Sequence, residues 1–329
     1  MRSFCSSRWL VGVSAMLALP AAIAAERVQV TTSFSILADM VENVGGEHVE
    51  VTSLVGPDSD THAYSPSPGD ARALSEADLV VFNGLQFEGW MERLIEASDY
   101  SGPVVTATAG IDTADADADA HDDHAHGDDD PHAWQDLTLG KVYVNNIRDG
   151  LIEANPENAA TYHENAERYI NELEATDEEI HQLIGEIPDS TSVITGHDSF
   201  SYFSSAYGVR FLSPAGLSSA SEASATNMAQ LIDVIREQNV QALFHENMTN
   251  PAVLNQLAEE TGLPVAGTLY TDALASEGEA STYLGMMRHN AQTLNTALAN
   301  PNHDDHDDHD DHDDHDDHDD HDDQHGHSH

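Results

Sequence analysis

The sequence predicts an α/β protein of two lobes, each with a mainly parallel β-sheet flanked by helices, joined by one long backbone helix. Three observations predict it. β-rich runs alternate with helical stretches from Val28 to Val105, the alternation stops at a segment with almost no large apolar residue, and it resumes after a long amphipathic helix. At 329 residues the chain is also long enough for two domains of about 150 residues each.

The first residues stand outside this pattern. Arg2 and Arg8 give a positive start, Trp9 to Leu19 is a short apolar run, and Ala22-Ile23-Ala24 fits an A-x-A cleavage site, so residues 1–25 read as a secretory signal peptide. The run is shorter than the roughly 20 apolar residues of a membrane-spanning helix. The single cysteine, Cys5, precedes it, so the mature chain is expected to hold neither a disulfide nor a thiolate ligand. With no cysteine at the cleavage site, the expectation is a soluble, monomeric periplasmic protein without a lipid anchor.

Residues 26–155 read as the first lobe. Val28 to Thr32 is a strand, Phe34 to Val44 a helix, Val49 to Val55 and Asp78 to Phe82 further strands, Phe87 to Ala97 a helix, and Val104-Val105 a short strand. Residues 109–130, rich in Ala, Asp, Gly and His, cannot bury a core and are expected to form a disordered loop. Residues 156–185 read as the linking helix, with Tyr162, Ala166, Tyr169, Leu173, Ile180 and Ile184 on one face. At about 1.5 Å per residue it would span roughly 40 Å, enough to run along both lobes.

Residues 186–300 read as the second lobe. Its strands are Ser192 to Thr195, Val209 to Leu212, Val240 to His245 and Pro264 to Thr268. Its helices are Ser199 to Ala206, Ala225 to Gln238, Pro251 to Thr261 and Ala280 to Leu298. Residues 301–329 repeat His-Asp-Asp and are expected to be a disordered tail. There are 60 acidic against 11 basic side chains, a net charge of −49, which excludes nucleic acid as a partner because phosphate backbones need Lys and Arg.

Four places carry chemistry: His62 in the turn-rich stretch Gly56 to Pro68, His132 in Asp130-Pro131-His132-Ala133-Trp134, His197 at a strand-to-helix junction, and Asp272 after the last strand. Each lies past a strand, where α/β sheets place ligands. His48, His163, His181 and His289 are isolated and read as solvated surface residues. Glu246, at a strand end, is a candidate for orienting a ligand imidazole.

These motifs resemble those of the zinc and manganese solute-binding proteins of ABC importers, the ZnuA/TroA-like family. The resemblance is carried by His62 with Tyr64 and Pro66-Ser67-Pro68, by Asp130 to Trp134, by His197-Asp198 with Phe200, Tyr202 and Phe203, and by Asp272; it covers Val28 to about Ala299. It implies a metal in the cleft between the lobes, held by His62 and His132 from the first lobe and His197 and Asp272 from the second. It also implies a transported Zn²⁺, a membrane permease with its cytoplasmic ATPase as partner, and a periplasmic metallochaperone as a further candidate partner. Manganese-branch members usually carry Glu in the place of His197. Three imidazoles and one carboxylate suit four-coordinate Zn²⁺, whereas Mn²⁺ prefers more oxygen, so the zinc branch is expected. Some zinc members place Glu beside the first histidine, where Thr61 stands here, which leaves water as the alternative to Asp272 as fourth ligand.

Auxiliary, weaker metal binding is expected at His121, His124 and His126 in the loop. The same holds for His303, His306, His309, His312, His315, His318, His321, His325, His327 and His329 in the tail. Two other functions are weighed. A zinc hydrolase would keep three protein ligands and a water, with Glu246 as base, but no H-E-x-x-H signature is present. A zinc store or chaperone would depend on the tail rather than on the cleft. The chain is expected to be no enzyme.

Overall fold

A computed structural model describes residues 27–113, 130–213 and 225–299, with the backbone alone at 225–230. The expected signal peptide, most of the expected loop, and the tail lie outside the described residues.

The first lobe is built from β1 (Val28–Phe34), α1 (Ser35–Gly45), β2 (Val49–Val55), α2 (Pro68–Glu76), β3 (Leu79–Phe82), α3 (Met91–Ala97) and β4 (Val104–Thr106). Its strands are parallel, in the spatial order β2-β1-β3-β4. Six of the seven residues of β1 are buried, which is why that strand reads as a continuous run rather than an alternation. Then come α4 (Leu137–Ala154), a 3₁₀ turn (Pro156–Asn158) and α5 (Ala159–Ile184).

The second lobe follows with β5 (Ser192–Ile194), α6 (Ser201–Tyr207), β6 (Arg210–Leu212), α7 (Ala225–Glu237), β7 (Val240–Glu246), α8 (Ala252–Thr261), β8 (Val265–Leu269) and α9 (Tyr283–Leu298). Its parallel sheet, in the order β6-β5-β7-β8, repeats the topology of the first. In each sheet the order reverses between two inner strands, and the carboxyl ends of those strands open a crevice.

The linking helix is shorter than its sequence suggests. Pro156 to Asn158 form a 3₁₀ turn, and the α-helix begins at Ala159. Its buried face, Tyr162, Ala166, Tyr169, Leu173, Thr176, Ile180 and Ile184, follows the expected spacing. Two helices were not anticipated. For α4 the signals are present: Asp136 accepts a hydrogen bond from the Thr138 amide, and Leu137, Tyr143, Val144, Ile147 and Leu151 recur at helical spacing on a buried face. For α2 the Ser67–Asp70 capping box, with Pro68 in the first turn, marks the start of a helix with one fully buried residue, Leu74.

One apolar core runs through both lobes and α5, and includes Phe34, Trp134, Leu173, Phe203 and Tyr283. A smaller one, with Ile194, Leu231, Leu243 and Leu257, lies between the second sheet and α7 and α8. The lobes are also tied by polar contacts. Asp39 of α1 accepts hydrogen bonds from the Tyr283 amide (3.0 Å) and the Tyr169 hydroxyl (3.3 Å), and the Tyr283 hydroxyl donates to the Trp134 carbonyl.

Burial pushes the Asp39 carboxyl up from its ordinary 3.8 to about 6, against those two hydrogen bonds. The folded state therefore holds this proton the more tightly. The stability this contributes is complete below pH 3.8 and is lost as the pH rises through about 6. Asp39→Asn, which mimics the protonated acid, is expected to stabilise the protein by on the order of 1–2 kcal/mol at neutral pH and to lose that advantage under acid conditions, as read by urea unfolding. A second expectation concerns Gly285, in the first turn of α9. A Cβ there would strike the Glu279 carbonyl oxygen, a backbone atom. Helix propensity alone favours Gly285→Ala by about 1 kcal/mol, but the collision is expected to win, with a loss of about 2–3 kcal/mol in urea unfolding.

Candidate metal centre

The four expected residues meet in the cleft. Among the described residues, His62, His132, His197 and Asp272 form a group able to hold a metal ion, with one ligand atom from each lying within 4.8 Å of the others. Asp272 is fully buried. Its Oδ2 lies 3.1 Å from His197 Nε2 and 3.3 Å from His62 Nε2, and its Oδ1 lies 3.6 Å from His132 Nε2. The His62 and His132 Nε2 atoms are 3.4 Å apart. A tetrahedral ion with ligands at about 2.0–2.1 Å separates its donor atoms by roughly 3.3 Å, so these spacings fit a single small cation.

His62 is set by the loop that leaves β2. The Trp90 indole donates to the Thr61 carbonyl (3.0 Å), the Ala63 amide donates to Asp60 (3.1 Å), and the His62 ring stands edge-on to Phe87 with centroids 4.6 Å apart. It is the most open of the four, with 38% of its side chain exposed. His132 is buried and closes against Trp134 and Phe87. The chain before it is held by Asn83, whose amide donates to the Pro131 carbonyl at 2.9 Å. Asn83 is held in turn by Glu88, a buried carboxylate that accepts from the Asn83 backbone N–H (2.7 Å) and from the Ser33 hydroxyl.

A carboxylate stands behind each of the two more buried imidazoles. Glu246 at the end of β7 lies 2.7 Å from His197 Nδ1, and Asp130 lies 2.7 Å from His132 Nδ1. A proton shared along each of these contacts fixes the tautomer that leaves Nε2 free to bind a cation. The His197 carbonyl is tied down separately by the Ser213 hydroxyl at 2.6 Å. Glu246 was anticipated at this position; Asp130 was not. Its signal lies in Asp-Pro-His itself, since an Asp side chain two residues ahead readily accepts from the backbone it precedes, and Asp130 also accepts from the His132 amide at 2.9 Å.

The electrostatics follow from this packing. Burial pulls the His132 imidazolium down, but Asp272 and Asp130 outweigh it and raise the ring to about 9. At His197 burial is likewise outweighed, by Asp272 and Glu246, and the ring rises to about 11. Burial pushes Asp272 up, yet His132 and His197 hold it well below the usual carboxylate range. Without a cation, imidazolium protons supply the positive charge that this carboxylate needs.

His121, His124, His126 and the tail histidines from His303 to His329 lie outside the described residues. His289 differs from the expected solvated residue: it is half-buried against Tyr270, and its Nε2 lies 3.1 Å from the Thr268 carbonyl.

The family described as ZnuA, zinc-uptake complex component A periplasmic, matches residues 30–297. The manganese-binding lipoprotein MntA of Halalkalibacterium halodurans is 35% identical over 277 residues, 83% of this chain and 89% of that protein. The manganese-binding lipoprotein MntA of Bacillus subtilis is 34% identical over 284 residues, 83% of this chain and 90% of that protein. The structure of the periplasmic zinc-binding protein TroA from Treponema pallidum superposes with a TM-score of 0.75 at 28% identity, over 83% of this chain and 99% of that one. Both MntA proteins are named lipoproteins, and this overturns the expectation of a soluble protein without a lipid anchor. The physical reason is that a lipid anchor, where a protein carries one, is a covalent addition outside the fold, which the packing of the described residues does not register. With the fold, the converging His/Asp site and a match along nearly the whole folded chain all in agreement, the protein belongs to the zinc-uptake component A family of periplasmic metal-binding proteins of ABC importers, whose role is transport without catalysis.

Proposed function

We propose that this chain is the zinc-binding component of its importer, capturing Zn²⁺ with His62, His132, His197 and Asp272 and delivering it to the membrane permease and its ATPase. The observation that carries the reading is the donor set. Three imidazole nitrogens and one carboxylate converge, two of the imidazoles are backed by carboxylates, and Asp272 Oδ1 is a buried oxygen with no hydrogen-bond donor. Zn²⁺ takes such a nitrogen-rich, four-coordinate shell readily, whereas Mn²⁺ favours oxygen and higher coordination. The names of the two MntA relatives point to manganese in those proteins; the donor chemistry of this chain supports zinc. Cu²⁺ and Ni²⁺ also bind nitrogen donors, so selection among these ions rests on geometry and availability.

The residues divide the work. His62, the most exposed, is the first imidazole an entering cation meets. His132, His197 and Asp272 close round it where water is largely excluded. Glu246 and Asp130 hold two of the rings in register and strengthen them as donors.

Competition titration of metal-free protein tests the assignment. A chain lacking His303 to His329 is expected to keep one tight zinc site, with manganese displacing zinc poorly. His132→Ala or His197→Ala should weaken that site by more than about a hundredfold, and Glu246→Gln by about 10–100-fold. Equal competition by manganese would overturn the zinc assignment. The protons supply a second expectation. Since His132 titrates at about 9 and His197 at about 11, both rings are charged at neutral pH, and a cation must expel those protons to reach Nε2. Zinc binding should therefore release about two protons, read by calorimetry in buffers of differing ionisation enthalpy, and should tighten as the pH rises. The metal-free protein runs the other way. The stability gained from these raised imidazoles is complete below 6.5 and fades as the pH passes through about 9 and then about 11.

A further inference from the structure

Asp272 belongs to the second lobe by chain order, yet its loop is fastened to the first. Ahead of it, the Thr271 carbonyl accepts from the Trp134 indole (2.9 Å) and the Gln135 side-chain amide (3.3 Å), both just past His132 in the chain. After it, the Leu274 amide donates to the Ser35 hydroxyl (3.0 Å). The largest share of the fastening falls on one residue of the β2 loop, Asp58. Its amide donates to the Leu274 carbonyl (2.9 Å), and its Oδ2 accepts from the Ser276 amide (3.0 Å). Its Oδ1 accepts from Asn247 (3.0 Å), whose side-chain amide also donates to the Ala273 carbonyl at 3.2 Å.

Asp58 makes these contacts with φ at +53°, a left-handed conformation that Asp tolerates better than most residues but that still needs support from its surroundings. Its slight desolvation is outweighed by the hydrogen bonds from Asn247 and Ser276, so the carboxyl sits below its ordinary value. His197 is held differently. Its partners Glu246 and Ser213 belong to the second lobe.

Building on the reading of Asp272 as a metal ligand, we propose that Asp58 is a positioning residue, a latch across the mouth of the cleft that holds the Asp272 loop against the first lobe and so sets how fast the metal leaves. Parting the lobes at this edge breaks the latch. With the latch closed, His62, His132 and Asp272 move as one unit, and His197 is the ligand free to withdraw with the second sheet.

The test is stopped-flow release of zinc from the full chain, loaded with one equivalent, into excess chelator. Asp58→Gly removes the carboxylate and relieves the backbone, so it should speed release from the cleft about tenfold; Asp58→Asn, which keeps one acceptor, should speed it by about threefold. If Asp58 acts through Asp272, then in an Asp272→Asn background Asp58→Gly should change the rate by less than about twofold. An equal acceleration in both backgrounds would show a general loosening and overturn the latch. If Asp272→Asn speeds release but neither Asp58 variant does, the latch falls and the ligand reading stands. If Asp272→Asn leaves release unchanged, the ligand reading itself falls, and the latch with it.

Discussion

The Asp272 carboxylate sets the terms for the rest of the molecule. It is a charged group with no exposed surface, and isolating such a group from water costs several kcal/mol unless positive charge and hydrogen-bond donors surround it. The compensation comes from imidazoles on segments far apart in the chain, so the charge is satisfied only when both lobes are folded and brought together. A buried anion that needs cationic company from two directions is also a good description of a binding site for a divalent ion. Protons and metal compete to fill the same electrostatic need.

The repeated topology of the two lobes explains how separate segments reach one point. Parallel strands share a direction, so their carboxyl ends face the same way, and every loop leaving such an end lies near the crevice. His62 leaves β2, His197 leaves β5, Glu246 ends β7 and Asp272 follows β8. His132 arrives by the longer path, after β4, and is anchored by Asn83 at the end of β3. Beneath them Phe34, Phe87 and Trp134 pack with steeply tilted rings at centroid distances of 4.9–5.1 Å, giving the imidazoles a stiff floor.

Much of this was legible in the sequence, and the gaps have physical causes. Strand and helix alternation exposed both lobes, because short buried apolar runs such as Leu79–Phe82 and Ser192–Ile194 stand between helical stretches. The face of α5 showed in its spacing, but its start did not: Pro156 suits the first turn of a helix equally well whether that turn is 3₁₀ or α. α4 escaped because a polar stretch of Asn, Lys and Arg dilutes its apolar face, although the Asp136 cap announces it. His62, His132, His197 and Asp272 stood out as reactive types at strand ends. The support from Asp130 and the ties made by Asp58 did not, since an Asp in a loop looks the same whether it faces water or a backbone amide 218 residues away.

The linking helix has one more consequence. α5 is a single unbroken α-helix of 26 residues, packed against α1, α4 and α9 rather than strung loosely between the lobes. A rod of this kind has no crease. Folding it in the middle would forfeit main-chain hydrogen bonds and uncover the tyrosines and leucine along its inner face. Relative motion of the lobes must therefore be a sliding of side chains over one another, with tilts distributed along the contact rather than collected at a joint.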